Sequence, residues 1–331
     1  MKTAVVILNW NGKQLLEKFI PSIVKYSNLP NVEIVIADNA STDESIKFIE
    51  ENYPQITIVK NKKNGGYAKG YNDALQHVNA TIFALVNSDI EVTEGWLNPI
   101  ISTFKNEPKT AIIQPKILDY KNKSQFEYAG AAGGFIDKYG YPYCRGRIFS
   151  DLETDYKQYD DTVDIFWASG ACFFIRSEVF HELKGFDEDY FAHQEEIDLC
   201  WRAKNIQKTI KYVGSSTVYH VGGATLKEES PHKTFLNFRN SLFSLVKNAP
   251  KNNLFLIIFS RLLLDGIAGV KFLAELRPKH TIAVIRAHFS FYFYLTKMIE
   301  KRKGFQQSNY YTVRSIVWKY FVQRKKTFKD L

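Results

Sequence analysis

The chain has 331 residues, 45% of them hydrophobic, which excludes a disordered protein and suffices for one large domain with an appendage. Its net charge of +9 is uneven, because residues 271–331 hold 14 Lys and Arg against three acidic residues, leaving residues 1–270 at −2. This basic, aromatic tail predicts contact with an anionic surface, either lipid or nucleic acid.

The N-terminus and the cysteines indicate the compartment. The apolar run 4–8 is shorter than the core of a signal peptide and is followed by Asn9, so no export signal is expected. Cys144, Cys172 and Cys200 are far apart and match neither a zinc site nor a disulfide framework. These features predict a cytoplasmic protein.

The first 90 residues alternate apolar runs with sequence typical of helices. Runs rich in Val and Ile are predicted as strands over 3–8, 32–37, 56–59 and 82–86. After the second run, Ser41 and Glu44 have the spacing of a capping box, and Pro54 ends the predicted helix. Strands that are apolar throughout suit a parallel sheet covered on both faces. The predicted fold class is therefore α/β.

The later part of the chain has a different pattern. Residues 110–180 alternate aromatic runs with glycines, which predicts mixed strands joined by long loops. Near Pro250 the composition shifts to two long apolar stretches typical of helices.

Polar residues follow the predicted strands and are the first candidate site residues. Asn9, Asp38, Asn87 and Asp89 lie at ends of strands whose carboxyl ends form the ligand-binding edge of such sheets. Asn, Asp and Ser also favour turns, so any one of these residues alone is weak evidence for a binding site. A carboxylate after the second strand can accept hydrogen bonds from a base or ribose, and Asp89 could hold a divalent cation that bridges phosphates.

The segment 64–72 is a glycine-rich turn that leads into a helix, where backbone N–H groups favour an anion. Its spacing matches neither a dinucleotide-binding fingerprint nor a P-loop.

A helix predicted to start near Gln194 carries several acids. Asp198 and Arg202 have the spacing of an ordinary ion pair, and Glu195 shares their face. Glu196 points about 100° away from Glu195, which makes it the better candidate for a general base. His220 follows another apolar run, where a lone His is more often structural than a metal ligand.

Six short motifs in order resemble family 2 glycosyltransferases of GT-A fold, especially their bacterial rhamnosyltransferase-like branch. They occupy residues 8–12, 38–43, 64–66, 87–89, 185–188 and 195–199, and the resemblance extends over about residues 3–245. It implies an inverting enzyme that uses a nucleoside diphosphate sugar with Mg²⁺ or Mn²⁺. The expected division is a catalytic domain over 1–245 and a helical basic and aromatic extension over 246–331.

The resemblance also implies roles for individual residues. It places the nucleoside on Asn9, Asp38 and Asp43 and the diphosphate near Gly65 and Gly66. Asp89 matches the last acid of the family's D-x-D motif, and His220 falls where some relatives have a further metal ligand. Glu196 matches the family's general base, with Glu195 as the second choice.

This sequence departs from the family pattern at two of these positions. Asn87, counted here among the donor-binding residues, replaces the first Asp of D-x-D, which leaves one carboxylate for the metal. Glu196 replaces the usual Asp by a side chain one methylene longer, and a misplacement of about 1 Å costs on the order of 10²-fold in rate.

The expected reaction is a single in-line displacement that inverts the anomeric carbon, with a glycan or lipid-linked acceptor in cell-surface polysaccharide synthesis. Two other readings are weighed against it. One is an inactive module that binds a sugar nucleotide or glycan, which the altered D-x-D allows. The other is a nucleic-acid binder, but no such module is recognisable, so no nucleic-acid partner is expected.

The extension is predicted to lie on a membrane rather than cross it. Arg261, Asp265, Lys271 and Glu275 fall in one narrow sector of the helical stretch 254–276 and leave a broad apolar face. A second stretch, 282–299, is rich in Phe and Tyr, and basic runs follow that suit anionic lipid. The alternative is that these helices pack on the catalytic domain or form a homodimer. The enzyme is thus expected at the inner face of the membrane, peripherally bound.

Overall fold

The computed structural model describes residues 1–222 and 230–331. Thirteen strands are seen in this part of the chain: β1 Thr3–Asn9, β2 Val32–Asp38, β3 Thr57–Lys60, β4 Ile82–Asn87, β5 Ile90–Val92, β6 Thr110–Asp119, β7 Gly134–Ile136, β8 Pro142–Cys144, β9 Arg147–Ile148, β10 Asp151–Leu152, β11 Thr162–Asp164, β12 Cys172–Arg176 and β13 Thr209–His220. The α-helices in it are α1 Lys13–Tyr26, α2 Ser45–Asn52, α3 Gly66–Leu75, α4 Leu97–Asn106, α5 Ser177–Glu182, α6 Glu195–Asn205, α7 Pro231–Asn248, α8 Leu254–Ala274 and α9 Pro278–Glu300.

A mixed sheet forms the centre of the molecule, in the order β11-β13-β6-β12-β4-β1-β2-β3, and β5 pairs with β13. One half is parallel, because β4, β1, β2 and β3 all run in the same direction. In the other half β12 is antiparallel to β4 and β6, while β6 and β13 are parallel. A small antiparallel sheet of β7 to β10 lies apart. The predicted α/β class and the mixed region after residue 110 are confirmed.

The sheet has a buried core on each face. Ala4 and Val6 of β1 belong to one core and Val5 and Ile7 to the other, because successive side chains of a strand point to opposite faces. Helices cover both cores. The ligand-accessible part of such a sheet is its edge, where the polar strand ends lie.

The predicted helix after β2 is present, but its predicted capping box is wrong. Helix α2 begins at Ser45 with Glu44 as N-cap, and the Glu44 side chain makes no capping hydrogen bond. The hydroxyl of Ser41 instead accepts hydrogen bonds from Asn9 and Asn11. Ser41 therefore belongs to the strand-end site.

The two long C-terminal helices are confirmed as α8 and α9. Both pack against α7, whose Phe243 joins Phe291 of α9 in a buried cluster. No helix in the described ranges is both long and apolar enough to cross a membrane. A domain boundary at residue 245 would fall inside α7, and the division itself stays a prediction.

Candidate active site

The predicted strand-end residues gather at the carboxyl edge of the parallel half of the sheet. Asn9 of β1 is aligned with Asp38 of β2, and Leu8 is aligned with Asn87 of β4. Asp89 follows Asn87 by two residues. Three neighbouring strands thus bring their polar ends together, as the parallel order predicts.

Asn9 and Asp38 lie next to each other at this edge of the sheet, and both are buried. Asn9 Nδ2 donates to Ser41 Oγ at 3.1 Å and to Asp38 Oδ1 at 3.5 Å. Asn9 Oδ1 has no hydrogen-bond partner among the described residues. A Cβ atom at Gly12 would come within 2.5 Å of this oxygen, so only glycine leaves room for it. A buried acceptor without a donor suits a ligand that supplies an N–H or O–H group.

Asp43 lies farther out and is held by the start of two helices. Its Oδ2 accepts from the backbone N–H of Lys13 at 3.1 Å, and its Oδ1 accepts from Ser45. Burial opposes ionisation, but these hydrogen bonds hold the pKa of Asp43 below its usual value. Its carboxylate is therefore charged and fixed beside the Asn9 group.

Gly65 and Gly66 stand at the start of α3, as the glycine-rich turn predicts. Gly66 has φ of +78°, and a Cβ there would approach the carbonyl oxygen of Phe191 to 3.0 Å. Its N–H donates to Asn64 Oδ1 at 2.9 Å. The turn thus packs closely on the segment that precedes the acidic helix.

Asp89 and His220 are neighbours, although 131 positions separate them in the chain. His220 Nε2 lies 3.2 Å from Asp89 Oδ1, and His220 Nδ1 lies 3.2 Å from Glu127 Oε1. All three side chains are buried. Burial alone would lower the pKa of His220, but the two carboxylates raise it to about 10. The protonated imidazole balances one of the two carboxylate charges, and it must lose its Nε2 proton before it can bind a metal ion.

Within residues 1–222 and 230–331, no three His, Cys, Asp or Glu side chains are arranged as a metal site. The positions of Asp89 and His220 nevertheless suit two of the ligands of a metal ion. Adjacent ligands of an octahedral ion with bonds of about 2.1 Å lie about 3 Å apart, close to the 3.2 Å between these atoms. Mg²⁺ usually takes one or two protein carboxylates and completes its shell with substrate phosphates and water.

Glu195 and Glu196 begin α6, as predicted. Glu195 is only 4% exposed. Its burial, and to a smaller extent the charge of the neighbouring Glu196, raises its pKa well above the usual value. Glu196 is partly accessible, and burial raises its pKa to about 7. Glu196 can therefore lose and take a proton near neutral pH, whereas burial favours the protonated form of Glu195.

Glu196 lies near the end of β4. A Cβ at Gly170 would lie 3.8 Å from Glu196 Cδ and 3.2 Å from the hydroxyl of Tyr67. The next residue, Ala171, accepts the backbone N–H of Asn87 at 2.9 Å. Glu196 Oε2 has no hydrogen-bond partner in the described part of the chain. The acid thus presents a free acceptor beside the strand that leads to Asp89.

Asp198 has the structural role that its spacing predicts. It pairs with Arg202 at 2.8 Å and also with Lys247 of α7 at 2.8 Å. Its carboxylate is fully buried. The ion pair predicted from the sequence is confirmed, and it joins α6 to α7.

Two neighbours of the site were missed by the sequence reasoning. Glu127 contacts His220 from a loop within the glycine-rich region, where no strand end marks it. Tyr67 lies within the predicted turn, and its hydroxyl donates to the carbonyl of Gly170 at 2.7 Å. Only the tertiary fold brings either residue to the site.

Known proteins share this sequence pattern and fold. A sequence model of glycosyl transferase family 2 matches residues 4–184. An N-acetylglucosaminyl-diphospho-decaprenol L-rhamnosyltransferase of Mycobacterium tuberculosis is 23% identical over 232 residues, which cover 65% of this chain and 75% of that protein.

Two solved glycosyltransferases have a similar structure. GalNAc-T7 with UDP, GalNAc and Mn²⁺ has a TM-score of 0.60 and 14% identity over 90% of this chain and 57% of its own. The mannosyltransferase PcManGT from Pyrobaculum calidifontis, with GDP-Man and Mn²⁺, has a TM-score of 0.54 and 14% identity, covering 88% of this chain and 87% of its own. At these identities the likeness establishes the fold, which is GT-A.

Proposed function

The chain belongs to glycosyl transferase family 2, and on that premise we propose how this glycosyltransferase binds its donor and which residues carry the transfer. The donor is a nucleoside diphosphate sugar. The acceptor is a hydroxyl of a glycan or of a lipid-linked glycan, used in cell-surface polysaccharide synthesis on the cytoplasmic side of the membrane. The rhamnosyltransferase relative, named for a diphospho-decaprenol acceptor, supports this choice.

The polar side chains at the strand ends suit the binding of the nucleoside. The unpaired Asn9 Oδ1 would accept an N–H of the base, and Asp38 and Asp43 would accept hydrogen bonds from the base or ribose. Asn87 would border the diphosphate, and the backbone at Gly65 and Gly66, where α3 begins, would approach it closely. These contacts would hold the donor with its anomeric carbon toward Glu196.

Asp89 and His220 would hold Mg²⁺ or Mn²⁺ together with phosphate oxygens of the donor. The observation in favour is the 3.2 Å separation of Asp89 Oδ1 and His220 Nε2. When bound, the ion supplies charge stabilisation for the leaving diphosphate. The Mn²⁺ named with GalNAc-T7 and PcManGT agrees with this choice.

Glu196 would act as the general base. The observation that carries this role is the position of Glu196 beside Gly170, where its buried Oε2 has no hydrogen-bond partner among the described residues and burial raises its pKa to about 7. Glu196 takes the proton of the acceptor hydroxyl as that oxygen attacks the anomeric carbon. The bond from this carbon to the diphosphate oxygen breaks, and the nucleoside diphosphate leaves. A single displacement of this kind inverts the configuration of the sugar.

A thermal-shift screen of nucleoside diphosphate sugars, with and without Mg²⁺ or Mn²⁺, tests the proposal. Ligand binding raises the melting temperature by mass action, so one donor should do so and its effect should depend on the ion. If no donor of the panel stabilises the protein with either ion, the proposed donor site is wrong. Stabilisation without any turnover of the donor would favour an inactive sugar-nucleotide-binding module.

A further inference from the structure

Helix α8 is turned the opposite way from an ordinary surface helix. The stripe that faces the protein contains Arg261 and Asp265, which are 3% and 0% exposed. A surface helix of a soluble protein normally turns its charged side chains to water and its apolar stripe to the core. Here large apolar side chains face outward, with more than half of their surface exposed: Phe259, Leu263, Ile267 and Val270.

The buried charges fix this orientation. Arg261 Nε donates to Asp265 Oδ1 at 2.7 Å, and Arg261 Nη1 donates to Tyr139 O and Ser241 Oγ. Tyr141 donates its hydroxyl to Asp265 Oδ1 at 2.6 Å. Rotating α8 to bury its apolar side chains would break the hydrogen bonds that hold Arg261 and Asp265 to Tyr139, Tyr141 and Ser241. The outward apolar face is therefore a property of the fold.

Helix α9 presents a second apolar face on the same side. Both helices rest on α7, because Arg261 contacts Ser241 and Phe291 packs against Phe243. Their outer faces therefore both turn away from α7. On α9 this outer face carries Phe289, 73% exposed, and Phe293, 82% exposed.

The exposed aromatic residues of the tail extend this surface. Lys271 Nζ lies 5.9 Å from the ring centre of Phe321, so the short helical segment Trp318–Val322 is next to α8. Trp318 and Phe321 are themselves exposed. The outer faces of α8 and α9 with this segment are called the interfacial face. Exposed apolar side chains in this number mark a contact with a protein or a membrane.

The charged residues of this region distinguish between a protein and a membrane as the partner. Lys271, Lys279 and Arg286 are exposed on the two helices, whose exposed acids are Glu275 near the turn and Glu300 at the end of α9. Residues 271–331 together carry a net charge of +11. In a symmetric dimer the same patch meets itself, so the basic residues would oppose one another. Anionic lipid headgroups complement them.

We propose that the interfacial face binds the surface of an anionic lipid bilayer, with α8 and α9 in the plane of the membrane and their apolar side chains between the headgroups. This inference rests on the proposed function in one respect, because it gives the enzyme access to a lipid-linked acceptor. The face is also fixed relative to the active site. Lys297 of α9 and Lys301, directly after it, pair with Asp189 and Asp187, in the segment that leads to Glu196.

Vesicle flotation with the full-length protein tests this inference. The vesicles contain phosphatidylcholine alone or phosphatidylcholine with phosphatidylglycerol, at low and high salt. The test variant is Ile267→Glu with Phe289→Glu, and the matched control is Tyr156→Glu, which is 81% exposed and outside these helices. We expect wild type and control to float with the anionic vesicles, less at high salt, and the double variant to bind at least about tenfold more weakly.

Two results would overturn the inference. One is a failure of the expected flotation: the wild-type protein stays at the bottom with both kinds of vesicle, or the double variant floats like wild type. The other is a stable dimer in light scattering that the double variant converts to a monomer, which would assign the face to a second copy.

Turnover of the donor, measured in parallel with a soluble acceptor, separates this inference from the proposed function. Turnover without flotation rejects the lipid surface alone. Flotation without turnover for any donor rejects the proposed transfer alone.

Discussion

At the scale of residues, the environment of two adjacent acids decides which one can act as a base. Glu195 and Glu196 differ little in sequence, yet burial and the Glu196 charge favour the protonated form of Glu195, while Glu196 titrates near pH 7. The angular separation of the two side chains on the helix predicted the same choice. Their burial, which sets the pKa difference, depends on residues distant in the chain.

Replacement of Glu196 tests this assignment. Glu196→Gln keeps the shape but removes the proton acceptor, so kcat should fall by about 10²–10⁴-fold while donor affinity stays near that of wild type. Glu195→Gln is the matched control and should have a smaller effect. Because the base must be ionised, kcat/KM of wild type should rise as the pH increases through about 7. A larger loss in Glu195→Gln would reverse the assignment.

Asp89 has a separate test with a readout besides turnover. Asp89→Ala removes the carboxylate beside His220, so metal-dependent transfer should be lost, and so should the extra stabilisation that the ion gives in the presence of donor. Glu94→Ala, at an exposed acid, serves as control. Activity that survives in Asp89→Ala, or wild-type activity unchanged by EDTA, would remove Asp89 from the reaction.

At the scale of elements, Asp198 connects the helix of the acidic pair to the C-terminal helices. Burial alone would raise the pKa of Asp198, but Lys247, Arg202 and Asn248 hold it well below the usual range. A depressed carboxyl pKa contributes stability above the unfolded-state pKa of about 3.9, and this contribution is lost as the pH falls toward the folded-state value.

Asp198→Ala should therefore lower the free energy of unfolding at pH 7 by about 3–5 kcal/mol, because Arg202 and Lys247 both lose a buried carboxylate partner and Lys247 keeps only Asp187. Urea denaturation of this variant and of the exposed-acid control Glu51→Ala measures the difference. The difference should shrink only when the pH falls below about 4. A loss no larger than that of the control would show that the ion pair does not stabilise the fold.

The elements also show which kinds of local sequence are informative. The first four strands were predicted to within about one residue at each end, because a buried parallel strand is apolar along its length. The capping box failed because the hydroxyl of Ser41 has partners 30 or more positions away. Glu127 was missed for the same reason, since nothing near it in sequence indicates His220.

At the scale of the whole molecule, the C-terminal helices are part of the structure that carries the active site. The predicted charged sector of α8 exists, but Arg261 and Asp265 face the protein, while Lys271 and Glu275 pair at the surface. Periodicity could show that an apolar face is present. The contacts of Arg261 with Tyr139 and Ser241, which turn that face outward, required the structure.

The central claim is that this edge of the sheet transfers a sugar with inversion. Proton NMR of one reaction mixture, with the donor selected by thermal shift, its divalent ion and an acceptor, follows the anomeric proton directly. We expect loss of the donor signal, release of the nucleoside diphosphate and a product of opposite anomeric configuration, all absent in Glu196→Gln. A product that retains the donor's configuration, or equal turnover by Glu196→Gln, would contradict it.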